Sequence, residues 1–397
     1  MISGKKILIG ITASISAYKT ISLIRLLVKK GADVRVVITP AAKDFVSPMI
    51  LSTFSNHKVY QEFVENDIWE NHVILGRWAD LFLIVPASCN TISKMASGLC
   101  DNFLMATYLS ATCKTVIVPA MDEEMWLHPS TQNNIKTLAS YGNDVVEPRE
   151  GLLASGLIGK GRLPEPEELV TILEETYFRS NVLAGKNILI TAGPTEEPID
   201  PVRFITNRSS GKMGFAIAEV LYLLGANVKV VSGPVSIETK YKGIQIFQVQ
   251  TAQEMFEFCK QEHEKFDVGI FSAAVADYTI AVPENEKIKK KDENLNITLS
   301  KTKDILGTMG DLKRKDQKII GFALETNDGE TNAISKLKNK KTDLIILNML
   351  SNDNNVFNND FNQVSFIESN ENIIHFNTAS KKDVALKIAD YIISNWK

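Results

Sequence analysis

The sequence predicts an α/β protein of two three-layer domains, each a parallel sheet with helices on both faces. Three observations carry that prediction. The segment GKKILIG at 4–10 recurs as GKNILIT at 185–191, and GADVRVVIT at 31–39 is echoed by GANVKVVSG at 225–233. The strands in both copies are near-continuous apolar runs, as strands covered on two faces require. Helical spacing fills the interval between them, with Ile21, Ile24, Leu27 and Val28 in the first copy and Ala218, Leu221 and Leu224 in the second. Each helix then stops at a glycine, Gly31 or Gly225. A chain of 397 residues has room for two such domains.

The elements follow in order. After the first strand–helix–strand unit come two more buried strands, ADLFLIVPAS (79–88) and KTVIVPAM (114–121), each ending in Pro-Ala. A helix over 166–178 closes the first domain, and a short polar stretch leads into the second, which places the division at 1–182 and 183–397. In the second unit the segment PTEEPIDPVRFIT lengthens the first turn; it is polar and broken by proline, too long for an idle connection. A helix then begins near Gly214. Further strands are predicted at FDVGIFSAAVADY (266–278), KIIGFALET (318–326) and TDLIILNM (342–349), with a helix from about Thr331 between the last two. An Asn/Asp-rich loop over 352–363 precedes two short strands, QVSFIES and NIIHFNT, and a closing helix over 379–396.

Composition excludes several classes of function. With 44 Lys+Arg against 47 Asp+Glu the net charge is −3, which argues against a protein that coats nucleic acid or an anionic membrane. No run of about 18 uncharged apolar residues is present, so no membrane span is expected. Lys5-Lys6 followed by ILIGITASISA imitates an export signal, but its recurrence in type at 185 identifies it as a first strand and loop. Four cysteines, Cys89, Cys100, Cys113 and Cys259, form no CxxC pair and suit a reducing compartment, so a cytoplasmic location is expected.

Two constellations carry chemistry. In the first domain, GITASISAYK (10–19) sets hydroxyls between a strand and a helix, where backbone N–H groups can receive a phosphate. VITPAA (37–42), PASCNT (86–91) and PAMDEEMW (119–126) are expected on the same edge of the sheet, where open α/β sheets bind ligands. In the second domain, TNRSSGKMG (206–214) offers glycines, serines, an arginine and a lysine at a helix start. Residues 286–303 hold six lysines against three acids beside a sheet edge, where they could close over a triphosphate. Lys336 and Lys340 stand one helical turn apart, and Phe322 is placed to stack on a base.

These segments, with His72 in NHVILGRWAD and GLLASGLIGKGRLPEPEEL (151–169), resemble the flavin-dependent cysteine decarboxylases, specifically the amino-terminal half of bifunctional coenzyme A biosynthesis proteins. The resemblance implies a flavodoxin-like domain that assembles as trimers and decarboxylates phosphopantothenoylcysteine with FMN. By it, Thr12, Ser14, Thr39, Ser88 and Asn90 bind FMN, His72 acts at the active site, and the PAM-x-x-x-M-W segment holds the substrate carboxylate. Two positions depart from the family pattern: Asp122 stands where Asn is usual and Ser155 where a proton-donating Cys is usual. Three readings follow: another donor such as Cys100, a decarboxylase that stops at the oxidised enethiol, or a degenerate half kept as scaffold.

TAGPTEEPIDPVRFITNRSSGKMG, followed in order by AAVADY, EKIKK, KTKDIL, GFALET and K-L-x-x-K, resembles the phosphopantothenate–cysteine ligase half of the same family. That likeness implies a Rossmann-like domain using CTP and Mg²⁺ to join cysteine to 4′-phosphopantothenate. Asn207 would stabilise an acyl-cytidylate and Lys287 would be the catalytic lysine. CTP would be contacted by Ser272, Ala273 and Asp277, by Lys303, Asp304, Ile305 and Leu306, and by Phe322, Lys336 and Lys340. No protein ligand to a metal is assigned, and Mg²⁺ is expected on the phosphates. The family also implies a homo-oligomer that handles only small-molecule substrates. The rival readings are a ligase with a silent or oxidative-only flavin half, a flavin-binding regulatory subunit, and a flavin prenyltransferase.

Overall fold

The computed structural model describes residues 2–65, 67–289, 295–349 and 360–396. The chain divides into two compact units, Met1–Phe178 and Arg179–Lys397. The expected division lay four residues later, at 182/183. Residues 179–182 belong with the second unit because their polar groups are satisfied there: Arg179 donates to the carbonyls of Tyr222 and Ala226, and the Ser180 amide donates to Leu223 O.

In the first unit six parallel strands lie in the order Val59–Tyr60, Asp33–Ile38, Lys6–Ile11, Leu81–Ala87, Lys114–Pro119, Asp144–Val145. Alternate residues of Lys6–Ile11 feed opposite cores. Ile7, Ile9 and Ile11 pack with Leu23, Ile24 and Leu27 of the helix Lys19–Lys29 and with Leu169 and Leu173 of Pro166–Thr176. Leu8 faces Phe82, Ile92, Phe103 and Leu104 on the other side. Each such side chain taken fully out of water contributes about 1.5–3 kcal/mol, so a polar residue at either parity would be costly.

The second unit has an eight-stranded sheet. Its order is Gln245–Gln248, Asn227–Ser232, Asn187–Ala192, Val268–Phe271, Lys318–Glu325, Leu344–Met349, Val364–Glu368, Ile373–His375. The first six are parallel and the last two antiparallel. One device recurs in both units. An aspartate just before a strand accepts an amide at the start of a neighbour, as in Lys6 N to Asp80, Asn187 N to Asp267 and Ile319 N to Asp343, each at 2.8 Å.

Four sequence expectations change in detail. The lengthened turn is a β-hairpin, Glu196–Pro198 paired with Phe204–Thr206. The strand expected through 278 ends at Phe271, because side chains capture the following backbone: Thr195 Oγ1 accepts the Ala276 amide, and Asn207 Nδ2 donates to Ala274 O and Val275 O. Asp277 therefore stands on a loop rather than at a strand end. Tyr278–Ile280 pairs antiparallel with Leu299–Lys301, so Lys301 of the lysine-rich stretch lies on a two-stranded ribbon. The helices expected from Gly214 and Thr331 begin at Lys212 and Gly329. Of the Asn/Asp-rich stretch expected as a loop, 352–359 lies outside the described residues, as do 290–294 of the lysine-rich stretch.

Candidate active site

In the first unit the turns at the carboxyl ends of three adjacent strands bring the expected flavin residues together. Thr12 is fully buried; its hydroxyl donates to Pro86 O at 2.7 Å and accepts the Ser88 amide at 2.8 Å, locking two turns to each other. Ser88 caps the helix Cys89–Ser97, accepting from Thr91 N, and Asn90 is exposed in that helix's first turn. Ser14, with its hydroxyl 3.0 Å from that of Ser16, opens one short 3-10 turn, and Thr39 opens another. Hydroxyls, an exposed amide and a helix start at one rim suit a phosphate-bearing ligand.

Asp122 and Ser155, the two departures from the family pattern, touch each other. Ser155 Oγ donates to Asp122 Oδ1 at 2.6 Å. Asp122 precedes the short helix Glu123–Leu127, and Ser155 sits at the tip of the hairpin formed by Arg149–Leu152 and Ile158–Arg162. Backbone contact holds the hairpin down: Met121 N donates to Gly161 O and Lys160 N to Glu123 Oε1. Only glycine fits at 161, since a Cβ there would lie 2.0 Å from Met121 O. Cys100, considered as a replacement donor, is exposed.

His72 opens the helix His72–Trp78, whose start is capped by Asn71 accepting from Ile74 N. Its ring meets three aromatic rings edge to face, Phe63 at 5.8 Å, Phe103 at 6.2 Å and Trp69 at 6.3 Å. Its Nδ1 is buried with no hydrogen-bond partner among the described residues. A buried ring nitrogen without a partner fits a bound ligand that supplies one. No described hydrogen bond joins His72 to the Thr12–Ser88 rim or to Asp122.

In the second unit a cavity of about 940 Å³ opens at the carboxyl ends of the parallel strands. Asn207, Ser272, Ala273, Asp277, Phe322 and Lys336 all line it, with Lys303, Asp304, Ile305, Leu306 and Lys340. Asp304 caps the helix Ile305–Leu312, accepting Gly307 N, and pairs with Lys340. Lys336 Nζ donates to Phe322 O at 2.8 Å. Burial, above all, holds Lys336 below the ordinary lysine range; the charge of Lys340 adds to this, while Glu325, Asp304 and Asp277 oppose it. Lys303 lies over the Phe256 ring at 4.9 Å.

Lys287 is the exception among the expected residues. It is exposed and does not line this cavity; its neighbour Ile288 is fixed instead, the amide donating to Asp200 and the carbonyl accepting from Arg203. Conversely, Asn348, Asn362 and Lys381 line the cavity without having been expected. Lys381 opens the closing helix, whose start is held by pairing of Ala379–Ser380 with Phe361–Asn362 and by the Lys381 amide donating to Asp360 O.

A hydroxyl-lined rim and a half-buried histidine on one α/β unit, with a lysine-lined cavity on another, fit a two-domain enzyme of the flavoprotein class. Residues 1–177 match the model of the Flavoprotein family, and residues 183–395 match that of the DNA/pantothenate metabolism flavoprotein C-terminal domain. The chain belongs to the family of coenzyme A biosynthesis bifunctional proteins. It is 39% identical over 398 residues to the coenzyme A biosynthesis bifunctional protein CoaBC of Haemophilus influenzae, covering 100% of this chain and 99% of that one. It is 43% identical over 355 residues to a cysteine/cysteine sulfinic acid decarboxylase of an unknown prokaryotic organism, covering 88% of this chain and 99% of that one. A crystal structure of the C-terminal domain of a CoaBC protein shares 41% identity, covers 54% of this chain and 97% of its own, and has a TM-score of 0.47. No described helix is long and apolar enough to cross a membrane.

Proposed function

We propose that the chain makes 4′-phosphopantetheine in two steps. The second unit joins cysteine to 4′-phosphopantothenate at the expense of CTP, and the first unit decarboxylates the product with FMN. The observation that carries the reading is the cavity of the second unit, lined by Lys301 and Lys303 from one segment and by Lys336 and Lys340 from the end of the helix Gly329–Asn339.

The ligase chemistry is a charge problem. The substrate carboxylate must attack the α-phosphorus of CTP, anion on anion, and the lysines of the cavity offset that repulsion. An acyl–oxygen–phosphorus bond forms as pyrophosphate leaves. The amine of cysteine then attacks the acyl carbon, CMP departs, and the amine loses a proton. Asn207, whose side chain donates to the 274–275 carbonyls, steadies the acyl-cytidylate in this reading. The described residues contain no group of three or more His, Cys, Asp or Glu side chains able to hold a metal ion, so Mg²⁺ belongs with the CTP phosphates.

In the first unit, FMN supplies when bound the electron sink that lets the cysteinyl group lose CO₂. Thr12, Ser14, Thr39, Ser88 and Asn90 hold it. His72 takes the substrate thiol proton on a ring nitrogen, a role its free lone pair allows. Ser155 itself is a poor acid, and its proton is already committed to Asp122.

That contact also favours a second substrate. A carboxylate at 122 repels a substrate carboxylate but attracts an ammonium, which free cysteine has and phosphopantothenoylcysteine lacks. One assay tests both readings. Supplied with 4′-phosphopantothenate, cysteine, CTP and Mg²⁺, the FMN-loaded protein is expected to yield 4′-phosphopantothenoylcysteine and then 4′-phosphopantetheine by mass spectrometry. Without CTP, cysteine alone is expected to give cysteamine only if the second reading holds. If supplied phosphopantothenoylcysteine stays unchanged, the decarboxylase assignment fails.

We infer in addition a homo-oligomer. Large apolar side chains stand in water on the first unit, among them Ile15, Met49 and Ile74, more than single scattered residues would explain. Light scattering that returns the mass of one chain would remove this inference.

A further inference from the structure

The loop that follows the strand Val268–Phe271 lines the cavity from Ser272 to Asp277, and distant side chains grip its backbone. Asn207 Nδ2 donates to Ala274 O and Val275 O. Ala276 is held at both ends: its amide donates to Thr195 Oγ1 at 3.0 Å, and its carbonyl accepts from Thr302 Oγ1 at 2.6 Å. The Thr302 amide then donates to Asp277 O at 3.0 Å. Asn207 has a part in the ligase chemistry above; Thr302 has none.

Thr302 stands between two cations. Lys301 and Lys303 are both exposed, and both line the cavity. Lys301 ends the strand Leu299–Lys301, where it pairs with Tyr278 of the ribbon. Lys303 lies over the ring of Phe256, a buried residue, at 4.9 Å. A lysine is a point charge on a flexible stem, so its place at a phosphate is only as well fixed as the backbone that carries it. The described pairing of the ribbon ends at Lys301, and the next helix begins at Ile305. Between them, the two bonds through Thr302 tie the lysine-bearing backbone to the loop of the cavity.

We propose that Thr302 is a positioning residue of the ligase, whose hydroxyl, by holding Ala276 O, sets Lys301 and Lys303 in place for the triphosphate of CTP. The inference rests on the ligase reading above and adds a residue that acts on the nucleotide through others. Its hydroxyl proton is committed to Ala276 O, so Thr302 gives no hydrogen bond of its own to a ligand. Asn207 and Thr302 hang on neighbouring carbonyls of one short loop. The amide at the acyl group and the lysines at the phosphates therefore keep a fixed spacing, which the attack of carboxylate on phosphorus requires.

The test is steady-state kinetics of amide formation by the full chain with Mg²⁺, each substrate varied in turn. Thr302→Val keeps the shape and the backbone amide but removes the hydroxyl. It is expected to raise the KM for CTP about threefold to tenfold, the scale of one neutral hydrogen bond. The KM for cysteine and that for 4′-phosphopantothenate should stay within about twofold, and Thr302→Ser should recover most of the loss. A double-mutant cycle followed by equilibrium binding of CTP separates positioning from general support. In a chain carrying Lys301→Met and Lys303→Met, adding Thr302→Val should cost less than about twofold, because the charges it places are gone. Thr302→Ala gives an independent arm with the same selective loss, should Thr302→Val fold poorly. The proposal is overturned if the KM for CTP does not change, if all three KM values rise alike, or if the loss persists in full without the two lysines. Wild-type protein that forms no amide at all would overturn the ligase reading itself, a separate outcome.

Discussion

His72→Asn is expected to slow decarboxylation of phosphopantothenoylcysteine by about 10²–10⁴-fold, the usual worth of a positioned acid–base group. CTP-dependent amide formation should keep its wild-type rate. The geometry gives the reason. Asn71 fixes the helix start, and three aromatic rings pack around the imidazole at 5.8–6.3 Å, so its orientation is set before any ligand arrives. Within that surround a ring nitrogen has no described protein partner, so its hydrogen bond is left for a ligand to make. Asparagine keeps a polar group of similar reach but has no ring nitrogen to take a proton. Flavin absorbance of the purified variant supplies a second readout. Unchanged flavin content with lost turnover places His72 in proton transfer; lost flavin makes it a binding residue, and unchanged turnover removes it from the site.

Burial explains which parts of the molecule were legible in the sequence. Strands such as Lys6–Ile11 announce themselves because both parities of side chain must be apolar, and the aspartates of ADL, FDV and TDL mark where three strands enter. The run after Phe271 misled for the same reason. AAVA continues the apolar pattern, but Thr195 and Asn207, distant in sequence, take its backbone hydrogen bonds and turn it into a loop. Contacts set by tertiary placement left no such trace. Ser155 and Asp122 are 33 residues apart and meet only because a hairpin folds down onto Met121 and Glu123. Lys381 opens a helix whose amphipathic pattern is ordinary; its start is fixed by pairing of Ala379–Ser380 with Phe361–Asn362. Lys287 shows the converse, since the motif around it is plain in the sequence while the side chain stands exposed, away from the cavity.

Lys336→Met should lower kcat/KM for CTP in amide formation by about 10²–10³-fold, as loss of a preorganised charge at a reacting phosphate does. Decarboxylation of phosphopantothenoylcysteine supplied directly should be unaffected. Lys336 is half-buried and tied to Phe322 O, whereas Lys340 is neutralised by Asp304. Its ammonium therefore acts across little water, where a unit charge does more work than at the surface. The same burial sets a pH signature. Because the folded protein holds Lys336 below the ordinary lysine range, its charge is lost earlier than usual as pH rises. The KM for CTP should then climb on the alkaline side before ordinary lysines titrate, and bound nucleotide should push that limb upward in pH by favouring the charged form. In Lys336→Met the limb should vanish along with the activity it governs. A variant that kept both the wild-type KM for CTP and its alkaline limb would show that the triphosphate is held elsewhere.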